Sequence, residues 1–169
     1  MKDIMLKITG KQIPRDSNEL TKMMEMFTED KSDVVEFITS GKYSSDGKKV
    51  CISYDETSIS GMAGCKTLIT IEPGKVTMKR KGSRLDETIM EFEKGRRYQG
   101  LYATPYGNIT MELLTNEVSG KVEEGIGTKL SIDYDISLKG LTESRNTLDI
   151  EVLKWLDNPN ENGEQSNVQ

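Results

Sequence analysis

Lys129-Leu130-Ser131-Ile132-Asp133-Tyr134-Asp135-Ile136-Ser137-Leu138-Lys139 decides the fold class. Leu130, Ile132, Tyr134, Ile136 and Leu138 occupy every second position, and Lys129, Ser131, Asp133, Asp135, Ser137 and Lys139 fill the gaps. Successive side chains of a strand point to opposite faces, so the stretch is a strand with one buried and one wet face. A helix would scatter the same five apolar residues around its circumference.

The alternation recurs in both directions. Toward the C-terminus, Leu148, Ile150 and Val152 share a face. Toward the N-terminus the in-phase sets are Ile109/Met111/Leu113, Tyr98/Gly100/Tyr102, Met90/Phe92, Val76/Met78, Thr67/Ile69/Ile71, Val50/Ile52/Tyr54 and Ile4/Leu6/Ile8. Val34 to Thr39 is apolar on both faces and reads as a strand covered on both sides.

Turn residues separate these runs. Asp46-Gly47 predicts a tight hairpin, whose central residues take positive φ. Glu72-Pro73-Gly74-Lys75 predicts a type II turn, with Pro fixing the first central φ and Gly accepting the second. Lys94-Gly95, Thr104-Pro105-Tyr106-Gly107, residues 123–127 and Lys139-Gly140 mark further turns. Short connections require antiparallel neighbours, because parallel pairing needs long crossovers. A meander of about ten strands removes its open edges by closing into a barrel.

Two segments stand apart. Residues 14–32 form a polar insertion in which Leu20, Met23, Met24 and Phe27 recur at helical spacing behind an Asp16/Ser17 cap. They predict one short accessory helix lying on the barrel or capping its mouth. Residues 157–169 are rich in Asn, Glu and Gln and read as a disordered tail. Residues 1–156 are then a single β-barrel domain, a size that buries a core without staples.

Composition narrows the class of protein. Charged residues make up 30% of the chain and hydrophobic residues 34%, as in a soluble globular domain. No apolar run approaches the ~20 residues of a membrane helix, and the alternating N-terminus lacks the apolar core of a signal peptide. Cytoplasmic location is the expectation, with no membrane partner. Cys51 and Cys65 read as core or sheet residues. Net charge is −5, which speaks against nucleic acid as the main partner. Residues 75–97 nevertheless hold eight Lys/Arg against four acids, and a local patch binds anions even on an acidic protein.

Several pieces of the chain match one family in order and spacing. They are Thr39-Ser40-Gly41-Lys42-Tyr43, Ile52-Ser53-Tyr54-Asp55-Glu56, residues 61–67, Met90-Glu91-Phe92-Glu93-Lys94-Gly95 and Tyr102-Ala103-Thr104-Pro105-Tyr106-Gly107. From about residue 35 to residue 153 the chain resembles the YwiB-like family of bacterial proteins, a domain of unknown function common in Gram-positive Firmicutes. The resemblance implies an all-β, antiparallel calycin/lipocalin-like barrel of about 8–10 strands. It implies no activity. The 14–32 insertion is longer than the family's, and the tail after Trp155 is additional.

Chemistry is sparse. The chain has no histidine, which removes the commonest general base, the Ser-His-Asp and Cys-His arrangements and most transition-metal sites. The glycines fit neither a phosphate loop nor a dinucleotide fingerprint. No catalytic residue, metal site or cofactor is expected. Asp133 and Asp135 oppose the apolar face and read as solvated. Asp55-Glu56 follows a strand end and reads as rim charge, although Glu56 or Tyr102 near Arg80 would be the acid/base group of an enzyme.

Polar groups in phase with buried faces are the candidate ligand-binding set: Tyr54, Arg80, Tyr98, Tyr102 and Tyr134. Small barrels either fill their interior or keep room for one ligand. Arg80 with tyrosine hydroxyls would suit an anionic head group on an apolar body, giving a non-catalytic carrier or sensor of a small molecule. The filled interior is the commoner solution: tyrosines pack their rings, arginine extends into water at a strand end, and Tyr106 covers the barrel end. The alternative is an interaction module for RNA or another anion through Lys75, Lys79, Lys81 and Arg96. Cross-strand pairing with Glu91 and Glu93 would neutralise much of that face.

Overall fold

The computed structural model describes residues 1–14, 33–60, 62–82, 85–124, 127–139 and 142–156. The expected helix within 14–32 and the tail 157–169 lie outside these residues, apart from Pro14, which ends a strand.

Ten antiparallel strands make one sheet: β1 (Lys2–Pro14), β2 (Asp33–Ser45), β3 (Val50–Asp55), β4 (Cys65–Glu72), β5 (Lys75–Gly82), β6 (Thr88–Phe92), β7 (Arg97–Thr104), β8 (Gly107–Glu123), β9 (Gly127–Leu138) and β10 (Thr142–Leu156). Among the described residues the single 3-10 turn Ser58–Ser60 is the only helical element. The lateral order is β6-β5-β4-β3-β2-β1-β10-β9-β8-β7. Every neighbour is therefore consecutive in sequence except β1 and β10, which join the chain's two ends. The sheet rolls into a nearly closed barrel. Its seam falls between β6 and β7, where no ladder forms. There the Ala103 amide donates to Thr88 Oγ1 at 3.0 Å.

The alternation of 129–139 takes its expected form. Leu130 and Ile132 are almost fully buried in β9, and Tyr134, Ile136 and Leu138 pack against the same core. Ile4, Leu6, Ile52, Ile69, Met111, Leu113 and Ile150 point inward from other strands. Gly41 in β2 makes room for one of them: a Cβ there would sit 2.8 Å from Leu6 Cδ1. At one end Tyr43 and Trp155 meet edge to face, with ring centroids 4.8 Å apart. Phe92 and Tyr134 close the middle at 4.9 Å.

The wet face of β9 is more structured than simple solvation. Arg145 of β10 grips Asp133 with two nitrogens, at 3.1 and 2.7 Å. Asn116, the extra residue at a register shift in β8, donates to Asp133 at 3.2 Å.

Three expectations fail locally. Val34 and Ile38 are 55% and 57% exposed, so β2 is not covered on both sides among the described residues. Tyr106 is 99% exposed and covers nothing. At Asp46-Gly47 only Gly47 takes positive φ. Instead Asp46 Oδ1 accepts the amides of Lys48 and Lys49, an Asx-type turn that needs no strained aspartate. The Pro73-Gly74 turn behaves as expected, with Gly74 at φ 78°.

Candidate functional site

Strand register builds a polar row inside the barrel. Tyr54 of β3 lies opposite Thr67 of β4, Thr67 opposite Arg80 of β5, and Arg80 opposite Thr88 of β6. All four follow the inward phase of their strands. Glu56 extends the phase of Ile52 and Tyr54 one step past β3, and its amide still bonds to Cys65 O. Its carboxylate is therefore carried inward rather than onto the rim, and it is buried.

The row is knit together by hydrogen bonds. Thr67 Oγ1 donates to Glu56 Oε1 at 2.7 Å. Arg80 Nη2 lies 3.5 Å from the same oxygen, with the Arg80 side chain only 20% exposed. This arginine does not run out into water from its strand end. The Tyr54 hydroxyl is in hydrogen-bonding reach of Glu56 and Thr67, and burial together with the Glu56 charge holds its pKa far above the usual tyrosine range. Burial pushes Tyr134 up to about 12, with the Arg80 charge opposing the rise and Tyr102 adding to it. Both tyrosines are neutral hydroxyl donors at physiological pH.

Arg80 Nε is buried and has no hydrogen-bond partner among the described residues. Its neighbour Nη2 makes the long Glu56 contact and a weak one to Met78 Sδ at 3.8 Å. Beside Arg80 a cavity of about 230 Å³ opens at the barrel mouth, walled by Tyr134, Val35, Leu148, Gln12 and Asn146. The end of β1, the start of β2 and the first half of β10 shape it. A larger open groove of about 420 Å³ crosses β7 to β10 and presents Arg97, Glu112, Asp135 and Glu143. It contains none of the row.

Of the tyrosines in phase with Arg80, the structure gathers Tyr54 and Tyr134 around it, with Tyr102 at the edge of the group. Tyr98 stands apart. Its ring lies over Gly100, where a Cβ would come within 2.9 Å of the hydroxyl, and its pKa is raised by burial and by Glu91. Glu56, Thr67 and Thr88 complete the row. Their signal was the continuation of inward phase through polar residues. On the basic face Lys75 pairs with Glu91 at 3.4 Å and Arg96 with Glu93 at 3.5 Å. Lys79 and Lys81 are exposed on β5. Among the described residues no group of His, Cys, Asp or Glu could hold a metal ion, and no helix is long and apolar enough to cross a membrane.

The family model "Domain of unknown function (DUF1934)" matches residues 20–150. The chain belongs to this family. The crystal structure of the ywiB protein from Bacillus subtilis is similar to it at 21% identity and TM-score 0.63, covering 90% of this chain and 94% of that one. At that identity the likeness concerns the fold alone. No curated protein matches the chain.

Proposed function

We propose that this member of DUF1934 is a non-catalytic binding barrel that holds a small amphipathic molecule at its mouth, with the anionic group on Arg80. One observation carries the reading: the mostly buried side chain of Arg80 lines a cavity, and its Nε has no partner among the described residues. A buried donor left without a partner costs about 1–3 kcal/mol. A ligand oxygen would remove that cost. Val35 and Leu148 would take the apolar body, and Gln12, Asn146 and Tyr134 would orient it, the usual division of labour in a ligand pocket.

The non-catalytic reading is supported by the state of Glu56, a buried acid. Its carboxylate is already occupied by Thr67 and Arg80, which suits a fixed counter-ion better than a proton shuttle. RNA gains no support: with Lys75 and Arg96 paired, Lys79 and Lys81 are a thin surplus for phosphate contacts.

Native mass spectrometry of the full chain after gentle purification tests the reading. The expected result is a small-molecule adduct that disappears in a folded Arg80→Met variant. A wild-type chain without adduct, and without NMR shifts at Gly10 or Leu148 across a panel of small carboxylates and phosphates, would overturn it.

A further inference from the structure

Resting on that binding reading, we infer that Glu56 makes the barrel mouth selective for singly charged anions, and that short-chain carboxylates are its ligand class. Glu56 does not line the cavity. It stands behind Arg80, with Oε1 3.5 Å from Nη2. Nε and Nη2 are the two donors on one edge of the guanidinium. Glu56 engages one of them, and the other has no partner among the described residues. Arg80 lines the cavity, so an anion held there by the guanidinium sits within a guanidinium's width of a fixed carboxylate.

The charge balance then discriminates between ligands. Arg80 is already compensated by Glu56, and at the rim Lys11 is balanced by Asp33. Both rim residues are exposed, so salt and water screen them. A monoanion leaves the buried Glu56–Arg80–ligand group at −1, whereas a dianion leaves it at −2. Like charges repel more strongly there than at the surface, because little water intervenes. Size narrows the class further. A cavity of about 230 Å³ lies below the ~300–1,000 Å³ of drug-sized sites, so the apolar body is short.

Hexanoate and hexyl phosphate are suitable probes, titrated into the full chain by NMR or calorimetry from pH 6 to 8. Hexyl phosphate goes from a roughly even mixture of monoanion and dianion at pH 6 to dianion at pH 8, its second pKa being about 6. Hexanoate stays singly charged. The chain has no histidine to titrate alongside it. The groups facing Arg80 are Glu56, Tyr54 and Tyr134, with Lys11 and Asp33 at the rim. We expect hexanoate affinity to stay level while hexyl phosphate weakens by about tenfold, and Glu56→Gln to abolish that weakening. Equal or tighter hexyl phosphate binding at pH 8, or an unchanged ratio in Glu56→Gln, overturns the inference. If Glu56→Gln fails to fold, the wild-type pH series decides alone. Binding of neither probe removes the binding reading and the selectivity together. Binding of both through Arg80 without discrimination removes only the selectivity.

Discussion

Glu56 and Arg80 face each other across strand β4, 3.5 Å apart, with the Thr67 hydroxyl of that strand bonded to the same carboxylate oxygen. The pair comes from two strands that are not neighbours, so it ties β3 to β5 inside the barrel. Such pairs contribute little net stability, because desolvation offsets the Coulomb gain. Breaking one is another matter.

Removing Arg80 strands a buried carboxylate. Arg80→Met should destabilise the chain by about 3 kcal/mol, the lower end for a buried pair because the arginine keeps some contact with water. The double variant Glu56→Gln/Arg80→Met should recover part of this, with a coupling of about 1 kcal/mol or more. Urea melts of the wild type, both single variants and the double variant measure the cycle. Strictly additive single effects would show that the two residues do not interact.

The tyrosines predict a fall in stability at high pH. Burial raises the pKa of Tyr43, Tyr54, Tyr98 and Tyr134, that of Tyr134 to about 12. Unfolded tyrosine titrates near 10. Between about pH 10 and 12 the folded chain therefore holds protons that the unfolded chain releases, and stability declines as pH rises. Below about pH 9 these groups give no slope. Phenolate absorbance from these four rings should appear in a late phase coincident with unfolding. Tyr134→Phe should shrink the late phase. A single phase centred near 10 would contradict the burial of these rings.

How far the sequence foretold this molecule depends on what each signal measures. Period-two alternation reports the direction of a side chain, and it placed Leu130, Ile132, Met111 and Ile69 on the inside. It also placed Arg80 in phase with Val76 and Met78, and Thr67 in phase with Ile69. It says nothing about what lies over an outward face, so it does not reveal that Val34 and Ile38 are exposed. Glu56 escapes it because the inward phase continues past the strand end, where the Glu56 amide still bonds to Cys65 O. The row itself could not be seen in a single chain. Tyr54, Thr67, Arg80 and Thr88 become neighbours only through register across four strands, which depends on hairpin geometry rather than on any one segment.

The seam between β6 and β7 carries no ladder among the described residues, and the Thr88 side chain bridges it. Thr88 Oγ1 accepts the Ala103 amide at 3.0 Å, and both residues are buried. Thr88→Val keeps the shape and removes the acceptor, so the Ala103 amide loses its partner at a cost of about 1–3 kcal/mol. The loss should be local. Hydrogen exchange at Ala103 should accelerate strongly, while the β1–β10 amides, far around the sheet, keep their protection. Tyr106→Ala, in the adjoining turn, should change stability by less than about 0.5 kcal/mol, because nothing packs on that ring. Unchanged protection of Ala103 in Thr88→Val would mean that the two strands are held by contacts other than this bond, and that the barrel closes more tightly than its hydrogen bonding indicates.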